Sequence, residues 1–285
     1  MGAGKRGRQD RSVGGGQWAV IGGQWAWKEA ATGIFGDGPL PTAHCLHFLT
    51  SHFPLPPMPL TVQTFVVSPF AENTLVVHDG TEAALVDPGT ATREERAAVE
   101  AYVAAVGLRV RHLLLTHGHL DHVFGCAHFA GVYGRQADRG GWQMHEADEP
   151  LLAAAVAQGE LYGVRVDTPP APTHRLAAGD EVALGEHRFR VLHVPGHSPG
   201  SVAFYSAADG LVIGGDVLFR ESVGRTDLWG GDTDLLLASI RRELFALPDE
   251  TRVVPGHGPA TTVGHERVHN PFLREPGARP HTPPA

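Results

Sequence analysis

Thr116-His117-Gly118-His119-Leu120-Asp121-His122 places three imidazoles and a carboxylate within six residues, directly after the apolar run Leu113-Leu114-Leu115. That run reads as a buried strand. Side chains alternate along an extended backbone, so His117 and His119 are expected to point to one side and offer two nitrogens to one metal ion. Asp121 and His122 follow where the chain should turn into a helix, placed to face a second ion beside the first. Any one of the 18 histidines is more often a core or surface residue than a ligand. Four candidate ligands in six residues is a different matter.

Three further segments share one grammar, an apolar strand followed by a tight glycine turn that holds a metal-type side chain. They are Val191-Leu192-His193-Val194-Pro195-Gly196-His197-Ser198-Pro199-Gly200, Leu211-Val212-Ile213-Gly214-Gly215-Asp216 and Val253-Val254-Pro255-Gly256-His257-Gly258-Pro259. Glycine permits backbone angles and close approach that a side chain would block, so such turns can aim a ligand inward from a strand end. Taken singly, His197 and His257 could cap turns and Asp216 could hold a loop through backbone N–H groups. Together, His117, His119, Asp121, His122, His197, Asp216 and His257 supply five imidazoles and two carboxylates. A catalytic ion needs three protein ligands and an open position, so this set suits two divalent ions with a carboxylate bridging them.

With 285 residues, 42% of them hydrophobic, the chain can bury a substantial core in a single catalytic domain. No apolar run approaches the roughly 18 residues of a membrane span, so no membrane partner is expected. Cys45 and Cys126 alone make neither a disulfide framework nor a four-thiolate zinc site, which fits a reducing, cytoplasmic setting. Net charge is −8 overall and near −10 once the slightly basic first 57 residues are set aside, which argues against nucleic acid as a partner.

Residues 1–57 are Gly-rich to Gly38 and then studded with prolines, a composition that seldom packs. The stretch from Trp18 to Trp27 is broken by Gly22, Gly23 and Gln24 and does not form the apolar core of a secretory signal. Residues 1–57 are therefore expected to be a disordered or non-native extension, 58–273 the catalytic domain, and 274–285 a disordered tail. Strands are predicted at Thr61–Val67, Asn73–His78, Ala83–Val86, Val110–Leu115, Trp142–Met144, Glu181–Leu184, Phe189–Val194, Ser201–Tyr205, Leu211–Ile213 and Arg252–Val254. Helices are predicted from the capping pair Thr92 and Glu95 to Val106, and over Asp121–Ala130, Pro150–Gln158 and Asp234–Leu247. Two strand-rich halves with helices interspersed point to an α/β fold, an αββα sandwich of two mixed sheets flanked by helices.

Thr-His-Gly-His-Leu-Asp-His, Pro-Gly-His-Ser-Pro-Gly, Gly-Gly-Asp and Pro-Gly-His-Gly-Pro, in this order, resemble the metallo-β-lactamase superfamily over about residues 61–273. Gly224-Arg225-Thr226-Asp227 and the segment Thr261 to Leu273 are similar to the short glyoxalase II-like (hydroxyacylglutathione hydrolase-like) hydrolases. The likeness stops short of the C-terminal helical region with which full-length members help bind glutathione.

The resemblance implies the αββα fold and hydrolysis of a small thioester such as S-lactoylglutathione by a dinuclear centre. His117, His119 and His197 would hold the first ion, Asp121, His122 and His257 the second, and Asp216 would bridge them. Asp121 would also orient the attacking water, a bridging hydroxide, and Arg225 could meet a substrate carboxylate or simply pair with Asp227. Zinc is the default ion, and histidine and carboxylate ligands also accept iron or manganese. A persulfide dioxygenase is the first alternative, using one iron held by two histidines and an aspartate on the same fold. A lactonase, a β-lactamase, a nuclease and a non-enzymatic binding module are weaker ones.

Ordered patterning begins just after Met58, so translation of the native protein is expected to start there. Its intact mass should match residues 58–285, and a mass matching residues 1–285 would refute this.

Overall fold

In the computed structural model, residues 58–274 are described in full, together with the backbone of residues 17–21 and 24–28. Gln17–Ile21 (β1) and Gln24–Lys28 (β2) pair as a two-stranded antiparallel ribbon, a unit by itself. The rest of the expected N-terminal extension and the tail beyond Arg274 lie outside the described residues.

The alternation along each strand builds the main body. In β4 (Glu72–His78), following β3 (Thr61–Val67), all seven residues are buried, because Val76 enters one core while Leu75 and Val77 enter another. β5 (Glu82–Val86) divides in the same way, Ala83 and Leu85 to one side and Ala84 and Val86 to the other. A strand apolar on both faces must be covered on both. Helix α1 (Arg93–Val106) returns the chain to β6 (Arg109–Leu114), which runs parallel to β5. The run Leu113-Leu114-Leu115 continues the pattern, its outer two leucines in the helix-side core and Leu114 in the core between sheets.

Beyond β6 come α2 (Leu120–Val123), α3 (Cys126–Tyr133), β7 (Trp142–His145), α4 (Glu149–Ala153), α5 (Ala155–Tyr162) and β8 (His174–Leu176). The first sheet has the order β3-β4-β5-β6-β7-β8, antiparallel across β3, β4 and β5 and parallel thereafter. The second contains β9 (Glu181–Leu184), β10 (His187–His193), β11 (Val202–Ser206) and β12 (Leu211–Gly215). A small hairpin of β13 (Leu218–Phe219) and β14 (Ser222–Val223) precedes α6 (Thr233–Ser239), then β15 (Arg252–Pro255), β16 (Thr261–Thr262) and α7 (Val263–His269). The second sheet runs β16-β15-β12-β11-β10-β9, with β12 and β15 its parallel pair. Its far face packs Val212, Val253 and Leu192 against Leu236, Ile240 and Leu244 of the α6 segment. Three apolar layers separate helices, sheet, sheet and helices, so the αββα sandwich is the observed architecture.

Three predicted helices depart from one continuous α-helix. Asp121–Ala130 is two helices, α2 and α3, because Gly125 lies against the turn at Pro88 and a Cβ there would strike Thr90 Oγ1. Pro150–Gln158 divides at Ala154 into α4 and α5, and α5 runs on to Tyr162, where left-handed Gly163 ends it. Asp234–Leu247 begins at the Asp232 cap and passes after Ser239 into a π turn, Ile240–Leu244. β8, the β13–β14 hairpin and α7 are elements that periodicity did not reveal, each too short to show a period. Cys126 is buried and free, and burial pushes its thiol well up. No helix among the described residues is long and apolar enough to cross a membrane.

The capping pair at α1 forms as predicted: Thr92 Oγ1 accepts from the Glu95 amide, and the Glu95 carboxylate accepts from Thr92, Ala91 and Ser68. Partial burial works against that carboxylate, but the backbone donors outweigh it and hold the group below its ordinary range. A depressed carboxyl contributes stability above its unfolded value, about 4.3, that is lost as pH falls through the folded one. Glu95→Gln should thus lower stability at neutral pH and flatten its decline on acidification, read by urea unfolding at about pH 6 and about pH 3. Thr92→Ala should cost about 1 kcal/mol at either pH. Parallel acid limbs for wild type and Glu95→Gln would contradict the assignment.

Candidate metal centre

The candidate ligands leave the C-terminal ends of four strands along one edge shared by the two sheets. β6 leads into His117, His119, Asp121 and His122, β10 into His197, β12 into Asp216 and β15 into His257. Two three-residue groups result, His117 with His119 and His197, and Asp121 with His122 and His257, each with ligand atoms within 4.8 Å of one another. In the first, His119 Nδ1 lies 2.8 Å from His197 Nε2, which is 3.2 Å from His117 Nε2. In the second, His257 Nε2 is 3.1 Å from Asp121 Oδ2, with His122 Nε2 at 3.9 Å from the same oxygen. Asp216 stands between them, Oδ1 3.3 Å from His122 Nε2 and Oδ2 3.8 Å from His197 Nε2 and 3.5 Å from His257 Nε2. All seven sequence-predicted side chains therefore meet at one place.

Three of the imidazoles are held on the far side so that a chosen nitrogen faces inward. His197 Nδ1 donates to the Arg225 carbonyl at 2.7 Å, which turns Nε2 toward His119 and His117. His122 Nδ1 lies 3.2 Å from Asp87 Oδ2, and His117 Nδ1 3.0 Å from Thr116 Oγ1. Such partners fix tautomer and ring orientation in metal sites. Buried polar atoms without any hydrogen-bond partner include His122 Nε2 and Asp216 Oδ1, both aimed into the centre. Buried polar groups are rarely left unpaired, so these atoms fit a cation that would satisfy them. Close approach also requires glycine: a Cβ on Gly256 would collide with Asp216 Oδ1 and sit 2.7 Å from His122 Cε1.

Burial and the neighbouring His197 push His119 down to about 3, and burial with His122 and His197 holds His117 well below its ordinary value. Burial would lower His122 too, but the carboxylates of Asp216 and Asp121 reverse it and hold it well above. His257 is likewise raised by Asp121 and Asp216 against the effect of burial. The same cations hold Asp121 and Asp216 below the usual carboxylate range although burial opposes it. His117 and His119 are thus held toward neutral imidazole, whereas His122 and His257 pair with carboxylates.

Three carboxylates essential to this geometry were not singled out from the sequence. Asp87, in the left-handed region at φ 47°, accepts from the Thr116 amide at 2.7 Å and its hydroxyl at 2.5 Å, and joins His117 and His122 in a third group of potential ligands. Glu72 is fully buried, which pushes its carboxyl well up. Its Oε2 accepts from Thr74 Oγ1, while Oε1 stands 3.7 Å from His122 Nδ1. Asp148 ties two ligand loops together, accepting from Gly118 N at 2.9 Å, Ser198 Oγ at 2.6 Å and Gly200 N at 2.5 Å. A left-handed backbone is the only local peculiarity among them, and it is not readable from Asp-Pro-Gly alone. Arg225 lines the cavity beside the centre, its guanidinium paired with both oxygens of Asp227 at 2.7 and 2.8 Å.

The family model described as the metallo-beta-lactamase superfamily matches residues 67–257. A "Probable metallo-hydrolase YqgX" of Bacillus subtilis (strain 168) is 36% identical over 213 residues, 73% of this chain and 94% of that one. The "Hydroxyacylglutathione hydrolase GloC" of Haemophilus influenzae (strain ATCC 51907 / DSM 11121 / KW20 / Rd) is 33% identical over 216 residues, 75% and 98% of the two chains. Among solved structures, TTHA1623 in a di-iron-bound form is 41% identical with a TM-score of 0.66, covering 74% of this chain and 100% of its own. The BLEG-1 B3 metallo-beta-lactamase is 35% identical with a TM-score of 0.68, covering 75% and 100%.

Replacing Asp148 with Ala would leave two buried amides unpaired and the Ser198 hydroxyl with Ser201 Oγ alone, at a cost of about 3 kcal/mol. Asp148→Ala should show that loss in urea unfolding and retain less metal after dialysis. Wild-type stability with full metal content would contradict the tie.

Proposed function

Because the chain belongs to the metallo-β-lactamase superfamily and is a metallo-hydrolase of it, we propose that it is a dinuclear thioesterase, cleaving small thioesters such as S-lactoylglutathione. The observation that carries this reading is Asp216, whose two oxygens stand within 3.8 Å of nitrogens from both clusters. His117, His119 and His197 would hold one ion and Asp121, His122 and His257 the other, with Asp216 between. Divalent cations bound there supply Lewis acidity, polarising a carbonyl and bringing the pKa of a water toward neutrality.

The protein's own groups do the rest. Asp121, ionised and oriented by His257 at 3.1 Å, can accept a hydrogen bond from the attacking water and fix its direction. The Arg225 carbonyl keeps His197 in one tautomer, and Asp87 does the same for His122. A departing thiol has a pKa near about 8.5, so it leaves as thiolate without a dedicated acid. The name of the Haemophilus relative supports thioester hydrolysis. Zinc suits the donor set, and iron is supported by the di-iron-bound relative.

The dioxygenase alternative uses one iron, and the pairing of His257 with Asp121 and Asp216 favours two. Metal-replete protein should release thiol from S-lactoylglutathione, and His119→Ala should lower the rate by about 100-fold or more. No release, with oxygen uptake on glutathione persulfide, would overturn this reading in favour of the dioxygenase.

A further inference from the structure

Beside the centre lies a second cavity of about 350 Å³, lined by Leu151, Ala154, Leu161, Tyr162, Leu228 and Trp229 and reaching His119. It shares His119, Gln158, Tyr162 and Leu228 with the smaller cavity that holds Asp121, His197 and Asp216. The two therefore adjoin, with the apolar one bordered by His119 of the candidate metal centre. Its size falls in the usual range of small-molecule sites, roughly 300 to 1,000 Å³. Its rim is costly to leave wet, with Leu161 85%, Trp229 62% and Tyr162 51% exposed. Apolar surface gathered around a cleft marks a binding site.

Charge around the two cavities points the same way. Arg225 is the only lysine or arginine among their described lining residues, and Asp227 already occupies both arms of its guanidinium. A glutathione thioester would bring two carboxylates to walls that, outside the candidate metal centre, offer only this one, already paired guanidinium. A neutral, apolar group needs no such partner.

We infer that the cavity walled by Leu151, Leu161, Leu228 and Trp229 binds an aliphatic acyl chain, making the preferred substrate a fatty acyl thioester of a small neutral thiol. The inference rests on the hydrolase reading above and names its substrate class. Water supplies the new oxygen of the carboxylic acid, the C–S bond breaks, and the sulfur leaves with the bonding pair and takes up a proton from water. Leu228 and Trp229 reach the cavity from the loop between Arg225 and α6, where left-handed Gly230 turns against Pro199. That loop also carries the Arg225 carbonyl that orients His197, so chain binding and the metal centre share one support.

The test is a series of N-acetylcysteamine thioesters from acetyl to octanoyl, set beside S-lactoylglutathione, with metal content measured for every protein. The wild type should gain about threefold to fourfold in kcat/KM for each methylene buried. Trp229→Ala should flatten that slope and Trp229→Phe should restore most of it, both with wild-type metal content. Calorimetric titration with 1-octanol should show one site per chain, weakened about tenfold in Trp229→Ala. Cleavage of S-lactoylglutathione or the acetyl ester as fast as the octanoyl ester would keep the hydrolase reading and overturn the acyl-chain inference. Octanol binding without cleavage of any thioester would overturn the hydrolase reading and with it the acyl thioester as substrate. Absence of octanol binding, or binding that Trp229→Ala leaves unchanged, would overturn the inference.

Discussion

The Val202 amide donates to the Thr116 carbonyl at 2.9 Å, a main-chain bond from the second sheet to the residue that opens the histidine motif of the first. Around it, Asn73 donates to the carbonyls of Gly256, Pro255 and Gly258, tying the start of β4 to the His257 loop. Asp148 adds the tie between Gly118 and Gly200. These contacts hold the ends of strands from different sheets at fixed spacing. Each sheet contributes candidate ligands, which come together only where the two edges are locked.

A dry interior makes that lock expensive and useful at once. Five imidazoles and the carboxylates of Glu72, Asp87, Asp121 and Asp216 crowd a small volume, and unpaired charge there would be severely penalised. The structure separates the load. His117 and His119 are kept neutral, Asp121 and Asp216 stay ionised against raised imidazoles, and the buried Glu72 is pushed toward its protonated form. An array with lone pairs on one side and anionic oxygens on the other matches the donor set of borderline divalent ions.

The sandwich and the seven candidate ligands were legible because both depend on local pattern. Alternation in β4, β5 and β12 sends successive residues to different cores, and each ligand follows its strand within a few residues. Glu72, Asp87 and Asp148 were not legible, since each is a lone acid whose role comes from a chain segment distant in sequence. The break in the helix predicted over Asp121–Ala130 had the same cause. It falls at Gly125 because the Pro88 turn presses there, and nothing within Asp121–Ala130 records that turn. β8 is three residues at a sheet edge, too short for a period to declare itself. The apolar cavity was hidden too, because Leu161 and Trp229 lie far apart in sequence and read separately as ordinary exposed residues.

The central claim is that Asp216 joins two metal positions rather than finishing one. Metal equivalents per chain, determined after reconstitution and exhaustive dialysis of the wild type and of Asp216→Ala, test this directly. The account predicts two equivalents in the wild type and loss of metal from both positions in the variant. One equivalent in the wild type, held unchanged when Asp216 is removed, would contradict it.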